Sequence, residues 1–250
     1  MPLQQWRSLE RKALAHLIQR WRTGFVHQAL FPPICILCGS RGDGLDLCAG
    51  CRADLPWNKT ACPRCGKALS IATLCDSCQQ HSPFYDRIVT AFVYQAPVDH
   101  LLRTLKFHDR LAHARLLGEL LAGCLATRAD PLPEMVIPMP LHHTRLRARG
   151  YSQAMELARP LARRLGLPIV SGVCHRVRAT TAQTSLDMRA RRDNVRGAFA
   201  VTGRDRIVGR RVAIVDDVVT TGQTVNELAR VLCQAGAREV EVWAVARTPQ

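Results

Sequence analysis

The chain is 250 residues long and carries 35 lysines and arginines against 20 acidic residues, a formal net charge of +15. That length suits one α/β domain of ordinary size, about 100 to 150 residues, plus a smaller module, and no apolar run approaches the roughly 20 residues needed to cross a bilayer. The start of the chain also lacks a continuous hydrophobic signal core, so a cytoplasmic protein is the expectation, and eleven cysteines in a reducing compartment point to metal or redox chemistry rather than a disulfide scaffold.

Residues 1–34 place Trp6, Leu9, Ala13, Leu17, Trp21 and Phe25 three or four apart, with Arg7, Arg11, Lys12, Arg20 and Arg22 elsewhere on the wheel. The spacing predicts a basic amphipathic helix. Through residues 1–25 such a helix can lie on an anionic membrane surface, although docking onto the protein's own body or onto a partner is the commoner use. Phe31-Pro32-Pro33 closes the helical stretch.

The next segment, 35–82, repeats itself. Cys35, Cys38, Cys48 and Cys51 recur at an offset of 27 as Cys62, Cys65, Cys75 and Cys78, with Gly39 matched by Gly66 and Leu47 by Leu74. Each C-x-x-C turn presents two thiolates to one metal, and two such turns complete a tetrahedral four-sulfur site with no open coordination position. Two structural Zn2+ ions in a double zinc ribbon are therefore expected. A thioredoxin-like redox site would use a single C-x-x-C opening a helix. The repeat favours ligand pairing within each unit, and interleaved pairing also satisfies the spacing. The apolar residues here are too few for a separate core, so metal binding supplies much of the folding energy. Cys124, Cys174 and Cys233 stand alone beside aliphatic residues and read as small buried hydrophobes.

Residues 83–250 read as one α/β domain. Arg87 to Tyr94 is a predicted strand, and a helix follows with Leu101, Leu102 and Leu105. A second helix carries Leu116, Leu117, Leu120 and Leu121 and ends near Leu125. Between the helices lies the polar break Lys106 to Arg110, whose lysine is either an anion contact or a solvated helix-end residue. Met135 to Pro138 is a short strand. It leads into an arginine-rich loop, Met139 to Gln153, and then into a helix with Ala154, Leu157, Ala158, Leu161, Ala162 and Leu165 on one side. Pro160 is expected to kink or interrupt that helix. A strand, a basic loop with a glycine and a helix N-terminus form an anion-binding arrangement, and His142 and His143 read as loop histidines.

Ile169 to Val177 is read as another strand. The stretch from Thr180 to Phe199 is polar and basic, as a mobile loop over an active site would be. Twelve arginines against three acidic residues lie between Arg145 and Arg196, an excess that attracts polyanions such as nucleic acid or pyrophosphate. Only four of the 35 basic residues are lysine, so a general preference for arginine accounts for part of the cluster.

Val212-Ala213-Ile214-Val215 then runs into Asp216 and Asp217, two aliphatic residues, and the loop Thr220-Thr221-Gly222-Gln223-Thr224. Val225, Leu228, Ala229 and Leu232 follow at helical spacing. This is a buried parallel strand ending at a loop that opens a helix. There the free N–H groups and the positive helix end can hold a phosphate, and the paired carboxylates can accept hydrogen bonds from a diol. A sugar phosphate meets both demands. With a last strand from Glu239 to Val245, the alternation predicts a parallel sheet with helices on both faces and ligands at the carboxyl ends of the strands.

The stretch from Val212 to Thr224 resembles the phosphoribosyl pyrophosphate (PRPP) motif of the type I phosphoribosyltransferases, and Arg145 to Gln153 resembles their pyrophosphate loop. The resemblance implies that Asp216 and Asp217 bind the ribose hydroxyls and that Thr220, Thr221, Gly222 and Thr224 bind the 5′-phosphate. It also implies that Arg149 and Gly150 meet a pyrophosphate accompanied by Mg2+. The polar stretch lies where those proteins keep a flexible catalytic loop, which makes Thr180, Gln183, Arg189, Arg192 and Asn194 its candidate residues.

Taken with the preceding ribbons, Leu105-Lys106-Phe107, Pro138-x-Pro140 and Arg149-Gly150-Tyr151-Ser152-Gln153, the chain from Cys35 onward is similar to the ComF family of competence proteins. Ser152 stands where that family usually has asparagine, and both residues can cap a helix. The resemblance implies a cytoplasmic protein of DNA uptake and natural transformation that binds PRPP and single-stranded DNA, beside competence-machinery proteins. Phosphoribosyl transfer is one possibility, and a non-catalytic DNA-binding or scaffold protein with a regulatory or vestigial PRPP site is the other. No base-reading motif for an acceptor is legible in the region that would form the hood, about 84–130, or in the ribbons.

Overall fold

A computed structural model describes residues 32–178 and 195–249. The predicted N-terminal helix, and Thr180, Gln183, Arg189, Arg192 and Asn194 of the predicted catalytic loop, lie outside the described residues. The chain divides into two compact units between Asp54 and Leu55. The boundary thus falls between the two cysteine quartets, and the second quartet belongs to the larger unit.

In the smaller unit, the described residues form two cysteine turns and a five-residue helix, α1 (Ala49–Ala53). In the larger unit, α2 (Asp76–Gln80) stands at the corresponding place in the second repeat. The chain then enters a four-stranded parallel sheet built from β1 (Arg87–Val93), β2 (Met135–Pro138), β5 (Arg211–Val219) and β6 (Glu239–Arg247), in the spatial order β1-β6-β5-β2. Two helices, α3 (Val98–Phe107) and α4 (Leu111–Ala126), connect β1 to β2. Two more, α5 (His143–Arg149) and α6 (Gln153–Leu165), follow β2, and α7 (Gln223–Gln234) joins β5 to β6.

The central strands are buried on both faces, so they read as unbroken aliphatic runs. Val212 and Ile214 of β5 share a core with Val225, Leu228 and Leu232 of α7. Alternation sends Ala213 and Val215 to the opposite face, where they too are fully buried. Helix α6 packs on β5 and β2, and α4 packs on β1 and β6. The two helices approach at Gly118, where a β-carbon would lie 2.6 Å from both the Leu157 carbonyl oxygen and the Pro160 ring. Pro160 does not interrupt α6, which runs through it as one helix; its ring fills the gap that Gly118 leaves.

The predicted strand from Ile169 to Val177 is not continuous. Ile169 makes one parallel bridge to Val136, and Gly172, at φ +79°, then turns the chain. Only β3 (Cys174–Arg176) is extended beyond it, and it pairs antiparallel with β4 (Phe199–Val201) in a separate two-stranded sheet. The Ser171-Gly172 break is the physical reason, since a left-handed glycine ends a strand. The last strand runs two residues beyond its predicted end, to Arg247.

Candidate functional site

The carboxyl ends of β2 and β5 open on a cleft of about 990 Å3. Its floor is the turn from β5 into α7. Asp216 and Asp217 lie near the carboxyl end of β5, followed by Val218 and Val219, and are half-buried; each carboxylate accepts from the next backbone N–H: Asp217 N–H at 2.9 Å and Val218 N–H at 2.8 Å. Gly222, at φ +80°, is the left-handed residue that lets the chain turn directly into α7. The Thr221 hydroxyl accepts from Gln223 N–H at 3.5 Å. No acidic side chain occupies the first turn of α7, so the positive helix end faces the cleft without a protein carboxylate of its own helix to neutralise it.

The opposite wall comes from the segment after β2. The predicted arginine-rich loop is instead largely helical. His142 caps α5 through its Nδ1, which accepts from Thr144 N–H at 3.4 Å, and Gly150, at φ +82°, ends the helix with its N–H on the Leu146 carbonyl at 2.8 Å. Ser152 then caps α6 by accepting from Met155 N–H at 3.4 Å, the role a helix-capping asparagine would also fill. The Tyr151 hydroxyl donates to the Leu105 carbonyl and anchors this wall to the end of α3.

Among the residues lining the cleft are Asp216, Asp217, Thr220, Thr221, Gly222 and Thr224, together with Arg149. Gly150 is not among them; it shapes the turn behind Arg149. The cleft also gathers Lys106, Phe107, Asp109, Arg145 and Arg176. Arg176 is the residue that sequence reasoning passed over as a site residue. It was one arginine among twelve in a basic stretch, and only the short β3 strand aims it at the cleft, where its guanidinium lies 5.4 Å from the Phe199 ring centre. Burial pulls the Arg176 guanidinium below its ordinary value, Arg145 adds to this, and Asp216 opposes it.

Burial pushes the Asp216 carboxyl well above the ordinary carboxylate range; the charge of Asp217 adds to the shift, and Lys106 works against it. Two adjacent carboxylates in a half-closed site repel each other unless hydroxyl donors or a cation share their charge. The cleft therefore combines a cationic wall suited to phosphates with an acidic pair suited to a diol or a divalent cation.

The cysteines form two separate quartets, Cys35, Cys38, Cys48 and Cys51, and Cys62, Cys65, Cys75 and Cys78, each with its sulfurs within 4.8 Å of one another. This is pairing within each repeat, not across repeats. The repeat extends to the backbone. Cys35 N–H donates to Ser40 O at 2.7 Å and Cys62 N–H to Lys67 O at 2.8 Å; Gly39 N–H donates to Cys35 O at 2.9 Å and Gly66 N–H to Cys62 O at 3.0 Å. Cys38 and Cys48 stand 3.6 Å apart at sulfur, as do Cys65 and Cys75. A tetrahedral zinc with Zn–S near 2.3 Å separates its sulfurs by about 3.8 Å, so both quartets fit the ion. Four thiolates close its coordination, which makes each site structural.

Residues 26–79 match the double zinc ribbon domain family, and residues 147–250 match the phosphoribosyl transferase domain family. Competence protein F of Haemophilus influenzae is 36% identical over 207 residues, which span 80% of this chain and 90% of that protein. DNA utilization protein YhgH of Escherichia coli O157:H7 is 37% identical over 228 residues, spanning 87% of this chain and 98% of that protein. Among solved structures, an allosteric regulatory enzyme of purine biosynthesis matches 52% of this chain and 25% of its own at 26% identity, with a TM-score of 0.34. With more than a third of its residues identical to curated relatives over four-fifths or more of its length, the chain belongs to the competence protein F family, a double zinc ribbon joined to a phosphoribosyltransferase-type domain.

Proposed function

We propose that this protein serves the uptake and use of external DNA, and that its cleft binds PRPP with Mg2+. The observation that carries the reading is the meeting of Asp216 and Asp217 with the Thr220–Thr224 turn on one side and with Arg145, Arg149 and Arg176 on the other. In this reading the acidic pair accepts hydrogen bonds from the ribose diol. The turn and the N-terminus of α7 take the 5′-phosphate, and the arginines meet the pyrophosphate. Mg2+ supplies charge neutralisation beside the pyrophosphate. The names of its relatives, a competence protein and a DNA utilization protein, support the physiological setting.

The same residues suit phosphoribosyl transfer. There the bond from ribose C1 to pyrophosphate oxygen breaks, a bond to an acceptor nitrogen forms, and that nitrogen loses a proton. Holding the ribose and the departing pyrophosphate is the main catalytic demand. Calorimetric titration of PRPP with Mg2+ tests binding, with a loss of about 10 to 100-fold in affinity expected for Asp216→Ala/Asp217→Ala, since hydrogen bonds to charged groups contribute about 1.5–3 kcal/mol. Pyrophosphate release with free bases or single-stranded DNA present tests turnover. Binding without release under any condition selects a regulatory PRPP site, and no binding removes the reading.

Single-stranded DNA is the proposed macromolecular partner, in the cytoplasm and beside other competence proteins. Arg145, Arg147, Arg163 and Arg164 are exposed on α5 and α6, where they suit a phosphate backbone. Affinity for an oligonucleotide should fall steeply with salt, and a salt-insensitive affinity would contradict arginine–phosphate contact. Among the described residues, no helix is long and apolar enough to cross a membrane.

A further inference from the structure

One buried cation belongs to neither the arginine wall nor a carboxylate pair. Arg247, the last residue of β6, is 4% exposed. Its Nε donates to the Cys65 carbonyl at 3.1 Å, and its Nη1 donates to the Val219 carbonyl at 3.0 Å. Among the described residues it forms no ion pair with a carboxylate. A guanidinium held away from water by neutral carbonyls alone is costly.

Its two acceptors are not ordinary. Cys65 belongs to the second quartet. Val219 is the residue before Thr220, so its carbonyl is where the ligand turn begins. That turn is gripped again by the neighbouring residue: Thr248 N–H donates to Val219 O at 3.1 Å, and the Thr248 hydroxyl donates to Thr220 O at 3.4 Å. The quartet side is fastened as firmly. Arg64 O accepts from Ile88 N–H at 2.8 Å, Cys65 O accepts from Arg247, and Gly66 O accepts from Asn58 Nδ2 at 2.9 Å. Three successive carbonyls of the cysteine turn are thus tied to the sheet or to the chain beside it. Tyr85, 7% exposed, fills the same region, with its hydroxyl 3.6 Å from where a side chain on Gly222 would begin.

Four thiolates around one divalent zinc leave a net negative charge of two on a cluster. We propose that Arg247 is the counter-ion of the zinc in the second quartet and the positioning residue of the Thr220–Thr224 turn, so that zinc in that quartet and the sugar phosphate in the cleft bind cooperatively. The inference rests on zinc in the quartet and on the PRPP reading of the cleft. Zinc draws the guanidinium toward the Cys65 turn, and the other end of the same rigid fork fixes the Val219 carbonyl. A ligand that orders the turn fixes the fork and with it the cysteine turn, and the coupling is reciprocal.

The test uses the full-length, zinc-loaded protein and follows zinc transfer to a chromophoric chelator, with and without saturating PRPP and Mg2+. The buried second quartet gives the slow phase. In the wild type PRPP slows that phase about fivefold or more, the lower end of ordinary coupling, and leaves the fast phase unchanged. Arg247→Met releases the slow zinc several-fold faster without ligand, binds PRPP about tenfold more weakly, and loses the protective effect of PRPP. Arg247→Lys keeps the charge without the two-donor fork, so ligand-free release stays near wild type while protection is lost; it also serves if the methionine variant fails to fold. Glu241→Gln, in the buried ion pair at the opposite end of β6, lowers the melting temperature yet retains protection.

Protection that survives in both Arg247 variants, or that is lost equally in Glu241→Gln, overturns the proposal. So does a PRPP-binding wild type in which PRPP leaves the slow phase unchanged. A wild type that does not bind PRPP removes the reading of the cleft, and with it the coupling. Ligand-free release then still decides the counter-ion role, which an unchanged slow phase in Arg247→Met would overturn.

Discussion

The two cysteine quartets are built from one pattern and have different surroundings. Their spacing, their sulfur separations of 3.6 Å and their turn hydrogen bonds agree repeat for repeat. In the first, Cys35 is buried but Cys38 is exposed and Cys48 and Cys51 are half-exposed. Bonds such as Gly42 N–H to Pro33 O at 2.7 Å and Asp43 N–H to Leu47 O at 3.0 Å close within the ribbon itself. In the second, all four cysteines are buried, and the turn carbonyls are held by Ile88, Arg247 and Asn58. A metal-binding pattern therefore fixes local geometry. What that geometry supports is set by residues far away in the sequence that come to meet it.

The largest effect expected from this contrast is on folding. Cys78→Ser should prevent soluble accumulation or lower the melting temperature by more than about 10 °C, because structural zinc contributes of order 10–16 kcal/mol in zinc-finger peptides. Cys38→Ser should leave the main transition within about 2 °C while removing about one zinc per chain. Circular dichroism with metal analysis decides this, and equal melting shifts would break the comparison. Zinc release comes next: the first quartet should empty at least about tenfold faster than the second, because local opening exposes it more readily. Single-phase release would contradict the difference in burial.

A smaller effect reaches the cleft. Replacing Cys38 should leave PRPP affinity within about twofold, whereas loss of the Arg247 link weakens it about tenfold; equal losses would mean that the ribbons act on the cleft alike. The smallest effect is a pH dependence in the cleft itself. Asp216 retains, in the native chain, a proton that the unfolded chain gives up at the ordinary aspartate value. Between that value and the raised native one, the native state binds more protons, and stability falls as pH rises through the window. Asp216→Asn should flatten this dependence and raise the melting temperature of the ligand-free protein at neutral pH by a few degrees, while weakening PRPP binding. A lower melting temperature in the variant would show that the ionised carboxylate is stabilising.

The cysteine repeat, the strand from Val212, the acidic pair and the turn into α7 are all legible because each is a contiguous run whose spacing is its geometry. The same holds for the Ser152 cap and for β1, β2 and the helices between them. Legibility fails where geometry depends on a distant partner. Ile169 to Val177 has strand-like composition, but Gly172 turns the chain and hands β3 to β4 instead of to the main sheet. Pro160 has every local reason to break a helix, yet α6 runs through it, with its ring packed against Gly118 of α4. The arginine stretch after β2 reads as a loop, yet His142 and Gly150 cap it at either end as a helix.

By itself the sequence determined the two metal-binding turns, the fold class and the strand-to-helix turn with its acidic pair, because thiolate spacing, buried aliphatic runs and a strand-to-helix junction are properties of neighbouring residues. Only the tertiary structure decided that Arg176 faces the cleft, that the second quartet belongs to the α/β unit, and that Arg247 joins Cys65 to Val219. Those contacts span up to 182 residues of chain. They are set by the sheet order that brings the end of β6 beside β1 and β5, an order that no local spacing encodes.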